Sequence, residues 1–247
     1  MSAVIRFAIA LLIGIVIFVG LPLAGWGLTD LPPTSSEQFQ RPHFGRVDVG
    51  DLQGFAAEPA RLGYVMLVVL LQIFVVAKFP EVGRNNRAGT KTVQRQRLVV
   101  VLMQFIPLAL VIAAPFSDRW NIAALGDAEV VRFLGLVLFA AGFLAMNWAE
   151  AALGRQFSIQ VTIQKDHRLV TGGLYRYLRH PRYLGIILFN VGIALVFRSG
   201  LGLALAAALV LVLLWRIHDE EAFMHQEFGR DWETYSRISW RLIPFVY

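Results

Sequence analysis

Six stretches of this chain carry no charged side chain and are long enough, or nearly so, to cross a hydrocarbon layer as helices: Phe7 to Thr29, Leu62 to Ala77, Leu98 to Ser117, Phe133 to Ala149, Tyr183 to Phe197 and Ser199 to Trp215. A helix needs about 20 apolar residues to span a core of about 30 Å, with about 17 as a lower limit. The first and third blocks meet that requirement alone, and the others need help from their flanks. With 57% hydrophobic and 16% charged residues among 247, the composition lies outside the usual soluble range. The chain is therefore expected to be all-α: a polytopic transmembrane helical bundle of about six membrane helices.

The last two blocks are separated only by Arg198. One continuous helix from Tyr183 to Trp215 would be about 50 Å long, too long for a single crossing. A tight hairpin is expected instead, its tip at the far interface and Arg198 snorkelling towards head groups. The first block follows Arg6 and has the outline of a signal peptide, but no small-x-small cleavage site follows it, so it is read as a membrane helix.

Orientation follows from lysine and arginine placement. Arg84, Arg87, Lys91, Arg95 and Arg97 lie between the second and third helices, and Arg155, Lys165, Arg168, Arg176, Arg179 and Arg182 lie between the fourth and fifth. Arg216, Arg230, Arg237 and Arg241 follow the hairpin. With six crossings all three groups share a side, which places the N-terminus and these polar segments in the cytoplasm. The isoelectric point near 10.1 is then a positive-inside signature and not a nucleic-acid footprint. Cysteine is absent, which excludes disulfides, thiolate metal sites and a cysteine nucleophile. No metal site is expected. The preference for arginine over lysine points to a GC-rich prokaryotic genome, hence a bacterial-type inner membrane.

Residues 28–60, rich in proline and glycine, have no sustained period and read as an irregular external connection or a lid. Ser158 to Gln164 alternates polar and apolar residues but has no evident strand partner, so an extended segment lying across the bundle is expected. Thr171, Gly172 and Gly173 mark a turn, and Pro181 suits the first turn of the fifth helix. That places His180 at the helix start, where unpaired N–H groups and the positive dipole end face a ligand. Arg216 and Glu220 are four apart on a helix running past Trp215, so both point the same way. Trp148, Trp232 and Trp240 are expected at membrane interfaces, and Asn190, Gln72 and Gln104 in interhelical hydrogen bonds. Asn147 and Glu150 either cap the polar pocket or snorkel.

The quoted segments are LGRQFS from Leu153, HRLVTGGLYRYLRHPRYLG from His167, and DEEAFMHQEFGRDWETYSRISWRLIP from Asp219. They contain RHPxYxG at Arg179 to Gly185, paired glutamates at Glu220 and Glu221, and FGxxWxxY at Phe228 to Tyr235. Together they resemble the isoprenylcysteine carboxyl methyltransferase family and its phospholipid N-methyltransferase relatives, over roughly Leu153 to Phe245. The resemblance divides the chain into residues 1–153, helices and loops, and residues 154–247, a catalytic region holding the hairpin. It implies a membrane methyltransferase using S-adenosylmethionine without a Rossmann domain, and indeed no glycine-rich fingerprint follows a strand-like run. By motif position its cofactor contacts carry over to Gln160, His167, Arg168, Leu169, Val170, Tyr175, His180, Pro181, Arg182, Tyr183 and Glu220. Arg216 falls at the family's arginine beside the methyl acceptor, so Arg216 and Glu220 are the expected catalytic pair.

The chemistry asks for such groups. A carboxylate such as Glu220 accepts from an ammonium or a ribose hydroxyl, and the faces of Tyr175 and Tyr183 suit a sulfonium. An arginine holds a carboxylate acceptor in bidentate fashion, whereas an amine or thiol acceptor would need a base, for which Glu220, Glu221, His218 and His180 are candidates. The expected acceptor is lipophilic or membrane-anchored and enters from the bilayer among membrane lipids; no nucleic acid is involved. Without the motif, Arg179 and Arg182 would read as interfacial anchors, and Arg216 with Glu220 as an ordinary helix pair. An NADPH-dependent reductase of an isoprenoid double bond is the alternative enzyme class, and a transporter would show repeated halves that are missing here.

Overall fold

The structure is a computed structural model that describes residues 3–27, 49–79, 91–92, 97–126, 129–154, 162–163 and 169–246. The remaining residues, including 28–48 of the expected lid, most of the basic 80–97 connection, and Gln160, His167 and Arg168, lie outside the described part.

The first crossing comprises α1 (Ala3–Ile15), a π-helical turn (Val16–Gly20) and α2 (Leu21–Gly27). Pro22 has no N–H to offer residue 18 and its ring crowds that carbonyl. Just upstream the winding loosens, and the Leu21 N–H bonds back to Val16 O. A short α3 (Val49–Ala56) replaces part of the connection read as irregular, and α4 (Pro59–Lys78) starts three residues earlier than Leu62, with Pro59 in its first turn. Then follow α5 (Arg97–Arg119), α6 (Glu129–Leu153), a 3-10 turn (Gly173–Arg176), α7 (Pro181–Val196), α8 (Gly200–Phe228) and α9 (Arg230–Ile238).

Among the described residues five helices are long and apolar enough to cross a membrane, and α7 is a shorter apolar helix of 16 residues. About 24 Å at 1.5 Å per residue, α7 falls short of a full crossing, so the expected bundle of about six membrane helices consists of five long ones and a short partner. The protein is an all-α, multi-pass membrane bundle. Met66, Phe105, Val137 and Leu211 are 62, 62, 63 and 69% exposed on its outside, as lipid-facing side chains should be.

The two ends of the bundle are tied differently. At one end Lys91–Thr92 (β1) pairs antiparallel with Thr162–Ile163 (β2), so the strand-like run does have a partner, the connection between α4 and α5. At the other end the hairpin tip, Phe197 to Ser199, lies against the connection between α5 and α6: Leu125 N donates to Arg198 O at 2.7 Å and Gly200 N to Ala123 O at 2.9 Å. Ser199 Oγ caps α8 by accepting from Gly202 N at 2.8 Å. The expected snorkelling of Arg198 does not occur. Its side chain turns inward, Nη2 3.1 Å from Asp118 Oδ1, where Arg61 and Arg132 also converge. A buried carboxylate offers more to a guanidinium than head groups do, because charge pairs strengthen where water is scarce.

The closest pairing is α6 against α7, antiparallel along four glycines: Gly135 and Gly142 meet Gly192 and Gly185. A Cβ added at Gly142 would lie 2.3 Å from Phe189 N, and one at Gly192 2.3 Å from Phe139 N. Spaced by seven residues on each helix, these glycines form a small-residue seam that brings the backbones together. Behind it pack Tyr64, Phe139, Phe189 and Phe197, with ring centroids 4.9 to 5.5 Å apart in the closest pairs. Gly142→Ala should lower the thermal midpoint in detergent by the equivalent of about 1–3 kcal/mol of overpacking; an unchanged midpoint would mean that α7 can shift without loss.

Asn190 does not bridge helices as expected: its Nδ2 donates to Ile186 O of its own helix at 2.8 Å. Gln72 packs against Gly14 of the first crossing, and Gln104 borders a cavity among the helices.

Candidate active site at the α7 to α8 end

The same seam that zips α6 to α7 sets the start of α7, and α8 carries the partner residues down from the hairpin. A cluster of Tyr183, Ile186, Leu209, Leu213, Ile217 and Leu242 packs the two helices together just above this point. With 29 residues, about 43 Å, α8 projects well beyond a 30 Å core, as the polar tail of its sequence predicts.

Across this junction one hydroxyl joins the two expected catalytic residues. Arg216 Nε donates to Tyr183 Oη at 2.6 Å, and Tyr183 Oη donates to Glu220 Oε2 at 2.5 Å. Arg216 Nε and Glu220 Oε2 are themselves 4.0 Å apart. Arg216 is buried, whereas the Glu220 side chain keeps 24% of its surface. The His180 ring stacks on Tyr183, centroids 5.4 Å apart and 13° from parallel. Tyr175 is buried, with its hydroxyl 3.4 Å from Ala149 O. Burial first, and then the nearby Glu220 carboxylate, raises the Tyr175 phenol far above its usual value, so it stays a neutral donor. Tyr235, whose hydroxyl donates to Tyr175 O at 2.7 Å, is pushed up to about 12, mainly by burial.

Adjacent residues on a helix point about 100° apart, so Glu221 faces elsewhere than Glu220. Its Oε1 accepts from Arg179 Nε at 2.8 Å and lies 3.3 Å from His180 Nε2, while Oε2 lies 2.7 Å from Arg241 Nη2. Held by two guanidiniums and an imidazole, Glu221 is a brace and not a free base. Arg179 also donates to Ser236 O and Ser239 O. Backbone bonds complete the buckle: Arg179 N to Trp240 O, His180 N to Arg241 O and Trp240 N to Tyr177 O, at 2.7, 3.1 and 2.8 Å. The residues after α9 are thereby laced to the strap before α7.

That lacing overturns one expectation. The start of α7 does not present a row of free N–H groups: Pro181 has none, those of residues 179 and 180 go to the C-terminal segment, and those of Tyr183 and Leu184 bond His180 O. Arg182 Nε lies 3.5 Å from Glu150 Oε2, and Arg182 lines a cavity among the helices. Leu169 and Val170 are half-buried, and Leu169 lines a surface cleft with Tyr235 and Asp231. His218 is exposed, two residues round the helix from Arg216. Trp232, expected at an interface, is buried against Tyr235 at 5.7 Å, while Trp148 and Trp240 are exposed. Asn147 and Glu150 are both buried. The bracing role of Arg179 and Arg241 escaped the sequence reading, although the paired glutamates were a signal that two carboxylates on one turn need different partners.

Comparison with known proteins finds membrane methyltransferases. The profile of the family described as Phospholipid methyltransferase matches residues 130–231, from α6 into α9. A probable protein-S-isoprenylcysteine O-methyltransferase of Oryza sativa subsp. indica is 28% identical over 165 residues, covering 64% of this chain and 84% of the relative. Protein-S-isoprenylcysteine O-methyltransferase A of Arabidopsis thaliana is 31% identical over 123 residues, covering 47% of this chain and 60% of the relative. The chain is similar to the isoprenylcysteine carboxyl methyltransferases. The solved eukaryotic intramembrane Ras methyltransferase, an isoprenylcysteine carboxyl methyltransferase, is similar in fold, with a TM-score of 0.51 at 20% identity over 78% of this chain and 70% of that one. As a membrane methyltransferase, this chain places its family motif residues Tyr183, His180 and Glu220 at one end of the bundle, beside Arg216.

Proposed function

We propose that the protein transfers a methyl group from S-adenosylmethionine to the carboxylate of a lipophilic acceptor, an S-isoprenylated cysteine or an analogue of it. The observation that carries the reading is the Tyr183 hydroxyl bonded on one side to Arg216 and on the other to Glu220. The cofactor fits the donor set: a partly exposed carboxylate and three rings, His180, Tyr183 and Tyr175, gathered beside it suit an ammonium, hydroxyls and a sulfonium. Bound there, S-adenosylmethionine would supply an electrophilic methyl group. Glu220, anchored by Tyr183, accepts from the cofactor's ammonium or hydroxyl groups. Gln160, His167, Arg168, Leu169 and Val170 would contribute further contacts by motif position.

Arg216, its plane set by Tyr183, holds the acceptor carboxylate and aims one oxygen. A carboxylate is already ionised at neutral pH and needs no base, so alignment and water exclusion carry the rate. Residues 154–247 form the catalytic region, and residues 1–153 the membrane scaffold. The polar end lies in the cytoplasm, with the N-terminus on the same side, of a prokaryotic inner membrane. A phospholipid amine is a second reading, favoured by the family description of the matching profile; Glu220 would then take the proton.

Calorimetry with S-adenosylhomocysteine tests the cofactor assignment. Glu220→Gln should weaken binding about 10- to 100-fold, the worth of a charge-assisted hydrogen bond, and equal affinity would remove Glu220 from the cofactor site. Mass spectrometry of a native lipid extract incubated with labelled methyl donor identifies the acceptor, and a labelled amine would reject the carboxylate reading.

A further inference from the structure

The segment after α9 turns an apolar face outward. Ile238, Trp240, Ile243, Phe245 and Val246 are 41 to 85% exposed, a range that includes the lipid-facing side chains of the bundle, and Tyr177 of the strap before α7 is 63% exposed. They lie together: the Trp240 and Phe245 rings are 5.3 Å apart, Trp240 N donates to Tyr177 O at 2.8 Å, and Val246 N donates to Ile243 O across a turn at 3.2 Å. A contiguous apolar surface of this kind marks a contact with a partner or a membrane.

Its level in the bundle decides between the two. Leu242, in the middle of the segment, is buried in the cluster of Leu209 and Leu213 of α8, against Met103 and Ile106 of α5, and these four residues belong to the apolar crossings of their helices. Trp240 and Ile243 flank Leu242 and so stand at the rim of the hydrocarbon, the depth at which tryptophan and tyrosine collect. The rim is also basic. Arg176 and Arg237 are exposed, the Arg176 guanidinium 5.8 Å from the centre of the Tyr177 ring and Arg237 in the last turn of α9 beside Ile238, whereas Asp231 and Glu233 sit in the first turn of that helix. Apolar side chains that dip into a leaflet, next to guanidiniums at the height of the phosphates, match an anionic membrane surface.

We infer that residues 237–246, with Arg176 and Tyr177, form a foot that rests on anionic lipid head groups, and that lipid bound there holds the buckle at the start of α7 closed. The second half follows from two residues that serve both. Trp240 O and Arg241 O accept from the N–H groups of Arg179 and His180, and Arg241 Nη2 reaches Glu221, whose other oxygen lies 3.3 Å from His180 Nε2. A ligand that binds the docked segment shifts the equilibrium towards the docked form. That form is the one in which the His180 ring is fixed against Tyr183.

The test uses the full protein in nanodiscs of phosphatidylcholine alone and of phosphatidylcholine mixed with phosphatidylglycerol. The chain has no cysteine, so a spin label on Val246→Cys reports a single place. In the mixed discs oxygen should reach the label far more readily than a nickel chelate does. The reverse order, or broadening by the label of a second copy, would overturn the foot. Hydrogen exchange at the amides of Arg179 and His180 should be about 3- to 10-fold slower in the mixed discs, and Arg176→Gln combined with Arg237→Gln should remove that difference while leaving the rates in phosphatidylcholine unchanged. Equal exchange in both lipids, or a lipid effect that survives the double substitution, overturns the coupling to the buckle. Neither measurement depends on the cofactor reading above. If that reading also holds, S-adenosylhomocysteine binds more tightly in the mixed discs by a similar factor, and its failure to bind in either lipid would count against the cofactor alone.

Discussion

Arg216→Ala should cut kcat/KM for methyl transfer by about 10²- to 10³-fold while changing S-adenosylhomocysteine affinity by only a few fold. The size follows from the proposed role of Arg216: removing one buried charge that positions a reacting group typically costs about 3–4 kcal/mol in the transition state. The asymmetry follows from geometry: Arg216 donates to the Tyr183 hydroxyl and lies 4.0 Å from Glu220, and Glu220 keeps its own bond to that hydroxyl when the guanidinium is gone. Arg216→Lys should recover little, because a point charge replaces the planar fork that could hold a carboxylate and Tyr183 together. Steady-state kinetics beside calorimetry give the answer. A loss confined to cofactor affinity would place Arg216 on the donor side, and full activity would remove it from the reaction.

Asp118→Ala should be the most destabilising single change in the bundle. Asp118 is fully buried at the hairpin-tip end, and among the described residues it receives Arg61, Arg132 and Arg198 together. Arg132 binds it in bidentate fashion, at 2.9 and 3.0 Å, and also donates to Val196 O at 2.7 Å. Removing the carboxylate that all three share leaves like charges facing each other in a poorly hydrated place, with Glu58 Oε1 still 3.5 Å from Arg132 Nε, and costs about 3–5 kcal/mol. The monodisperse fraction after detergent extraction should fall sharply. Ser199 to Arg216 spans about 25 Å of α8, so the protein that does fold should keep its specific activity. A thermal midpoint like that of the native protein would show that the arginines find other partners.

Much of the bundle was legible because uncharged runs leave a hydrocarbon solvent little alternative to helices, and the tight hairpin followed from Arg198 and from the length of about 50 Å that a single helix would need. What Arg198 does was not legible: a single charge between two apolar blocks looks like a surface anchor until Asp118, eighty residues earlier, is known to sit beneath it. The strand pairing of Thr162–Ile163 with Lys91–Thr92 was hidden for the same reason, since alternation reveals a strand but not its distant partner. At the site, the i to i+4 spacing of Arg216 and Glu220 placed them correctly on one face. Pro181 and His180 were correctly put at the start of α7, yet the N–H groups there were assigned to a ligand, whereas those of residues 179 and 180 go to the C-terminal segment and those of Tyr183 and Leu184 bond His180 O. Helix termini advertise unpaired donors in any sequence, and only the tertiary fold says who accepts them.

The glycine seam between α6 and α7 has a bearing on traffic. Two backbones in such intimate apposition make a bulkhead without a crack, too narrow for even a single methyl group to slip between Gly142 and Phe189. Any greasy molecule that enters the bundle must therefore board from another flank, where side chains and not main chains form the partition.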